Sequence, residues 1–445
     1  MKNRNYKGFW ALFLGLFVFA LLFNSCEDDD EGSSAPMTIT KVYLEDAQSS
    51  VPDREVTFAR LGQTLRLEGS GFIGMEKVYI NGYENYFNPV YVTDNSMLVS
   101  ISVDVPTIDA PEEVRNSIRL GKGESNIFTY SFEIRASAPS ITNISHTMPQ
   151  AGDSITIYGV GLQGITSVSF PGDIVVTEGI VSDNIEGEFC KVIVPEGISD
   201  DGGSLLVVGA NGGAYSPAYF NFKKGLYHNF DDVDNYAWAS GIDNDDTPLT
   251  DVIPANGDGP KSQGGYHSFN VAGDTIATNA DRRYWTNSES WPSALLDVIP
   301  GSTAAADCGV QMDIYVEGEW TSGVIRMIMA DGSGTDRYSM IYRPWYENDA
   351  VVPFENPGYW FTVTFPFSDS EDYEGGTFSD VLASMVAASY KQSGPWFHNI
   401  GLPSDTEGEP DIVESTATDV KIYFDNLRVV PLNAPTYSDF PDDEE

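Results

Sequence analysis

The sequence predicts an all-β protein: two small sandwiches of related sequence, then a larger, jelly-roll-like sandwich. Three observations carry that expectation. A block of turn glycines and apolar residues recurs once, at an offset of 90 residues. Apolar and polar residues alternate along most hydrophobic stretches, the period of strands with one buried face. Only one short stretch, near Ser379 to Ser389, reads as helix.

The chain opens with Lys2, Arg4 and Lys7, followed by an apolar run from Phe9 to Phe23. A basic start before a short greasy segment is the layout of an export signal. The run has 15 residues and falls short of the roughly 20 that a spanning helix needs. It ends in "LLFNSCEDDDEG", where Asn24, Ser25 and Cys26 are followed at once by the acids Glu27 to Glu31. The segment around Cys26 resembles a bacterial lipobox, with Phe23 where leucine is usual. That resemblance implies cleavage before Cys26 and lipidation of Cys26, and several acyl chains would make the attachment effectively permanent. The acids behind it resemble the signal that sends Bacteroidetes lipoproteins to the outer face of the outer membrane. Residues 1–25 are thus expected to be a signal peptide and 26–36 an acidic tether, reaching roughly 35 Å if extended.

The net charge is −42, and loss of the three leader cations takes it to −45. Such a surface repels nucleic acid, heparin-like chains and acidic pectins, so a neutral partner is favoured. Cys190 and Cys308 lie in different predicted domains inside apolar strand patterns and are expected to remain buried thiols. No Cys/His spacing suits a metal. The acids of "NFDDVDN" and "GIDNDD" do not match a 12-residue calcium loop and read as solvated segments, so no cofactor is expected.

In the repeat, "LGQTLRLEGSGFIGMEKVYING" starts at Leu61 and "AGDSITIYGVGLQGITSVSFPG" at Ala151. Gly62, Gly69, Gly71, Gly74 and Gly82 match Gly152, Gly159, Gly161, Gly164 and Gly172. Between them Leu65, Leu67, Val78 and Ile80 match Ile155, Ile157, Val168 and Phe170, two residues apart as in strands with one buried face. The pattern, with "APSITNISHTMPQAGD" opening the second copy, resembles the IPT/TIG immunoglobulin-like domain and implies Ig-like sandwiches over 37–135 and 136–224. In bacterial surface proteins such modules usually serve as spacers. Gly69-Ser-Gly71 is followed by strand rather than helix, which excludes a dinucleotide loop. Gly152-Asp-Ser154 has Gly62-Gln-Thr64 as its repeat partner, so it reads as turn scaffolding rather than a nucleophile motif.

Residues 225–433 read as one further sandwich, and 434–445 as an acidic tail. "CGVQMDIYVEG", "YWFTVTFPF" and "DVKIYFDNLRVV" all alternate with period two. Of eight tryptophans, Trp10 lies in the leader and the other seven all follow the second repeat. An indole face matches the axial C–H bonds of a neutral pyranose, and stacking of this kind tolerates variation in the ligand. Trp285 and Trp291 flank the aperiodic "TNSES", Trp320 ends the strand at "EGEWTSG", and Trp345 sits at the proline-interrupted "YRPWYE". Loop and strand-end positions concentrate binding residues, so these four are the predicted ligand contacts. Trp238 reads as structural, while Trp360 and Trp396 read equally as contact or as packing.

"WTSGVIRM", "YRPW", "GYWFTVTFPF" and "KIYFDNLRVVP", in this order behind IPT/TIG-like repeats and a lipobox, resemble the Bacteroidetes surface glycan-binding proteins. Those lipoproteins accompany SusC/SusD-like transporter pairs, and their C-terminal domain is of the xyloglucan-binding type. The resemblance implies capture of a neutral polysaccharide (xyloglucan or a related β-glucan) at the cell surface, on Trp320 together with Trp285 or Trp291. Two other readings stand beside it. A jelly-roll glycoside hydrolase needs two carboxylates about 5–10 Å apart, and 66 acids supply chance pairs freely. An adhesin would use exposed aromatics against a protein partner. No nucleophile and base stand out, so no enzymatic activity is expected.

Overall fold

The computed structural model describes residues 36–45, 54–123, 125–231, 238–240, 246–247, 259–262, 264–269, 275–285, 291–331, 336–370, 373–387, 393–404 and 409–439. Cys26, the tether and most of the two acidic segments weighed for calcium lie outside these residues. Two compact units divide the chain, one ending at Ser137 and the other beginning at Ala138.

The first unit is a sandwich of two four-stranded sheets. One orders Arg54–Glu55, Thr38–Leu44, Thr64–Ser70 and Ser96–Ser100; the other orders Tyr83–Asn85, Lys77–Ile80, Ser117–Lys122 and Asn126–Ser131. Leu65, Leu67, Val78 and Ile80 face inward with no exposure, as their period requires. Strand Phe58–Arg60 runs parallel to Glu133–Arg135.

The second repeat folds the same way within the second unit. Ser140–Ile144, Ser154–Val160, Phe189–Ile193 and Val181–Ser182 form one sheet; Ile174–Val176, Ser167–Phe170, Leu206–Gly209 and Gly212–Tyr215 form the other. The repeated glycines mark a shared device. In each copy the first strand slips register, between Ile39 and Lys41 or between Ile141 and Asn143. That slip drives its backbone against the neighbouring strand, where a Cβ at Gly69 or Gly159 would strike the carbonyl of Thr38 or Ser140.

Beyond it, Leu226–His228, Lys421–Pro431, Cys308–Glu317 and Phe361–Pro366 build one sheet, with His267–Ser268 also pairing to Lys421–Pro431. The facing sheet orders Asp246–Thr247, Trp238–Ser240, Asp281–Trp285, Ser393–His398, Val324–Asp331 and Asp336–Tyr342. The predicted helix is present at Phe378–Ala387 and buries Phe378, Val381, Leu382 and Met385, one face of a helical repeat. Its start is capped reciprocally: the Asp380 carboxylate accepts the Thr377 N–H at 2.9 Å, and the Thr377 hydroxyl accepts the Asp380 N–H at 3.4 Å. Cys190 and Cys308 are buried thiols.

The second repeat and the C-terminal sandwich share one core, running from Ile155 and Phe220 to Met312 and Phe424. A buried polar cluster joins them as well. The Arg428 guanidinium, fully buried, donates to both carboxylate oxygens of Asp313 (2.8 and 3.2 Å) and to the Thr147 hydroxyl of the second repeat (2.7 Å). Thr147 donates to Gln311 at 2.9 Å, its N–H donates to the Thr362 hydroxyl at 2.9 Å, and the Thr362 N–H donates to the Ser145 carbonyl at 2.8 Å. A buried fork with this many partners fixes one geometry.

Candidate functional site

The tryptophans predicted as contacts divide sharply. Trp320 and Trp345 are each 0% exposed. Their indole N–H groups both donate to the Gly323 carbonyl, which supplies the acceptor a buried indole requires. Trp320 also bridges to Phe354 as an isolated strand pair, and its ring meets Tyr342, Phe354 and Phe397 edge-on or tilted at about 6 Å. The strand end that reads as open is thus roofed by residues 342–354, and the assignment of Trp320 and Trp345 as ligand contacts is corrected to core packing. Trp285 ends strand Asp281–Trp285 rather than standing in a loop, and Trp291 begins the four-residue helix Trp291–Ala294. The side chains of these two lie outside the described residues. Trp396 is half-buried, with the Arg283 guanidinium 4.0 Å from its ring centre.

Among the described residues of the C-terminal sandwich, an open aromatic surface lies elsewhere, in a cleft of about 600 Å3 lined by Tyr315, Tyr359, Trp360, Lys261, Ser262, Asp425 and Asn426, together with His146, Gln150 and Asp153 of the second repeat. Strand position places the rings. Trp360 immediately precedes Phe361–Pro366, and Tyr315 stands on Cys308–Glu317 beside it. The Trp360 ring contacts Tyr266 edge-on at 5.3 Å and Tyr315 at 5.9 Å, and its N–H donates to the Lys261 carbonyl at 2.8 Å. The ring is therefore held in orientation. Tyr359 is 44% exposed.

The floor is charged but spoken for. Asp313 and Asp425 are directly paired across neighbouring strands and each is 1% exposed. Burial works to raise the Asp313 carboxyl, but Arg428 and His146 together overcome it and hold the group well below the usual carboxylate range. His146 Nε2 lies 3.5 Å from Asp313, and the Thr362 hydroxyl and Asn426 amide donate to it at 2.7 and 3.0 Å. Asp425 shifts the other way: burial, then the neighbouring Asp313 charge, pushes it well above its ordinary value. It accepts from the Ser262 hydroxyl at 3.2 Å and the Asn426 N–H at 2.7 Å.

A pair this deep, with Asp313 engaged by four donors, is a scaffold rather than an acid and nucleophile for glycosidic cleavage. The raised Asp425 also makes a prediction. Below about pH 4 both folded and unfolded carboxyls are protonated; above it the unfolded one ionises first, so this group withdraws stability as pH rises towards its folded value. Asp425→Asn should therefore raise the melting temperature more at about pH 8 than at about pH 4. Equal shifts at both pH values would refute the assignment.

The arrangement offers ring faces for C–H groups, with amide, ammonium and carboxyl groups for hydroxyls. Among the described residues no cluster of three or more His, Cys, Asp or Glu could hold a metal ion. Sequence reasoning passed over Tyr359 and Tyr315 and left Trp360 undecided. The usable signal was that Trp360 stands off the Phe361/Val363/Phe365 face of its strand.

Comparison with known proteins agrees with this architecture. The family model of the surface glycan-binding protein B xyloglucan binding domain matches residues 220–431. An IPT/TIG domain-containing protein of Bacteroides ovatus is 29% identical over 157 residues, 35% of this chain and 31% of that protein, so the match spans less than a third of the relative's length. The crystal structure of a surface glycan-binding protein B from Prevotella bryantii superposes with a TM-score of 0.64 at 21% identity, over 90% of this chain and 100% of that one, and shows the same fold. Residues 220–431 thus match the xyloglucan binding domain of surface glycan-binding protein B, a glycan-binding rather than a catalytic domain, and IPT/TIG-like modules precede it.

Proposed function

We propose that this protein captures a neutral hemicellulose-type β-glucan, xyloglucan or a close relative, in the Trp360–Tyr359–Tyr315 cleft. It hands the polymer to a SusC/SusD-like transporter from a lipid anchor at Cys26 on the outer membrane surface. The observation that carries the reading is the cleft itself, where fixed aromatic rings stand beside polar groups in a domain matched to a xyloglucan-binding family. The charge of −42 supports a neutral ligand over an anionic one. The lipobox-like segment and the acids behind it support the address.

Each stacked ring contributes about 1–3 kcal/mol, by analogy with bases on aromatics. Trp360→Ala should therefore weaken binding about 10- to 100-fold. Affinity electrophoresis of the wild type and this variant in gels containing xyloglucan, mixed-linkage glucan or mannan tests the proposal. Retardation of the wild type and its loss in the variant are expected. Equal retardation of the two would remove the cleft from the site.

A further inference from the structure

We propose that the second Ig-like module is a working wall of the glycan site rather than a spacer, with Gln150 as its contact for sugar hydroxyls and Asp153 as its second polar group. The inference rests on the cleft reading above and names a part of that site which the family match, beginning at residue 220, does not include. Both side chains line the cleft, on a turn that is exposed.

Comparison of the two repeats separates scaffold from contact. In the second repeat the Gln150 N–H donates to the Asp153 carboxylate at 2.8 Å and the Asp153 N–H donates to the Gln150 carbonyl at 3.1 Å. In the first repeat, 90 residues earlier, Arg60 and Gln63 make the same turn: the Arg60 N–H donates to the Gln63 side chain at 2.7 Å, and the Gln63 N–H donates to the Arg60 carbonyl at 3.2 Å. The turn therefore constrains the residue at 153 as an acceptor but leaves the side chain at 150 free to vary. Where the first repeat carries a cation that donates to the Ala136 carbonyl, the second carries a neutral amide facing the cleft. An amide both donates to and accepts from hydroxyls, which suits an uncharged sugar.

The wall is held still. Thr147, three residues before Gln150, is bonded to Arg428, Gln311 and Thr362 of the C-terminal sandwich. Tyr359 reaches the same module: burial and then the neighbouring Tyr158 push its hydroxyl above the usual tyrosine value. A wall fixed before the ligand arrives avoids the ordering cost of recruiting it.

The test is calorimetric titration of the full chain with a xyloglucan oligosaccharide, comparing wild type, Gln150→Ala, Gln150→Ala with Asp153→Asn, and Trp360→Ala. Asparagine keeps the acceptor that the turn needs. Each hydrogen bond lost should weaken affinity about 3- to 10-fold, with the melting temperature unchanged. If Trp360→Ala loses binding while both Gln150 variants match the wild type, the wall is only a spacer and this inference fails alone. If Trp360→Ala binds like the wild type, or the wild type does not bind the probe, the cleft reading fails and this one with it.

Discussion

Replacing Trp320 with alanine should cost the protein stability, not its ligand. The indole is fully buried among Tyr342, Phe354 and Phe397, so truncation leaves a cavity at the roof of the C-terminal sandwich and removes one of the two N–H groups that donate to the Gly323 carbonyl. Large aromatic-to-alanine changes in cores cost about 3–5 kcal/mol. For a domain of this size that is a fall in melting temperature on the order of 10 °C. Below the transition, the folded fraction should bind glycan with wild-type affinity. A variant that melts like the wild type yet no longer binds would return Trp320 to the site.

Arg428→Ala should be comparably damaging, for an electrostatic reason. It removes the guanidinium from a carboxylate that is only 1% exposed. Breaking a buried pair by deleting one partner costs about 3–5 kcal/mol, whereas replacing both partners by apolar residues can be nearly neutral. Chemical denaturation should therefore show a large loss for Arg428→Ala and substantial recovery for Arg428→Met combined with Asp313→Leu. A single-variant loss under about 1 kcal/mol would mean that apolar packing alone joins the second module to the C-terminal sandwich. The pH sign follows from the depressed Asp313. A carboxyl held below its unfolded value contributes stability above that value and loses it only as pH falls through the folded one. The contribution should thus persist through mildly acidic pH, opposite in direction to that of Asp425.

The legibility of individual residues follows from how local their signal is. Leu65, Leu67, Ile155 and Ile157 are inward-facing because a strand alternates, and alternation is visible in the chain itself. The repeated Gly69 and Gly159 declare themselves by recurrence. Trp320 and Trp345 were misplaced because their exposure depends on a segment that folds back over them from outside the strand. The same blindness applied in reverse to Trp360, which a polar-facing strand position left undecided, and to Gln150 and Asp153, which lie in a module expected to be a spacer.

From its sequence alone this protein is a β-structure with two related modules ahead of a tryptophan-rich third, negatively charged and suited to an uncharged partner. These are properties of periodicity, recurrence and composition, which each residue carries with it. Only the tertiary structure decided which rings stay open, and that the second module helps line the cleft. Burial and pairing arise between residues such as Thr147 and Arg428, 281 positions apart, and nothing in the neighbourhood of either one encodes the meeting.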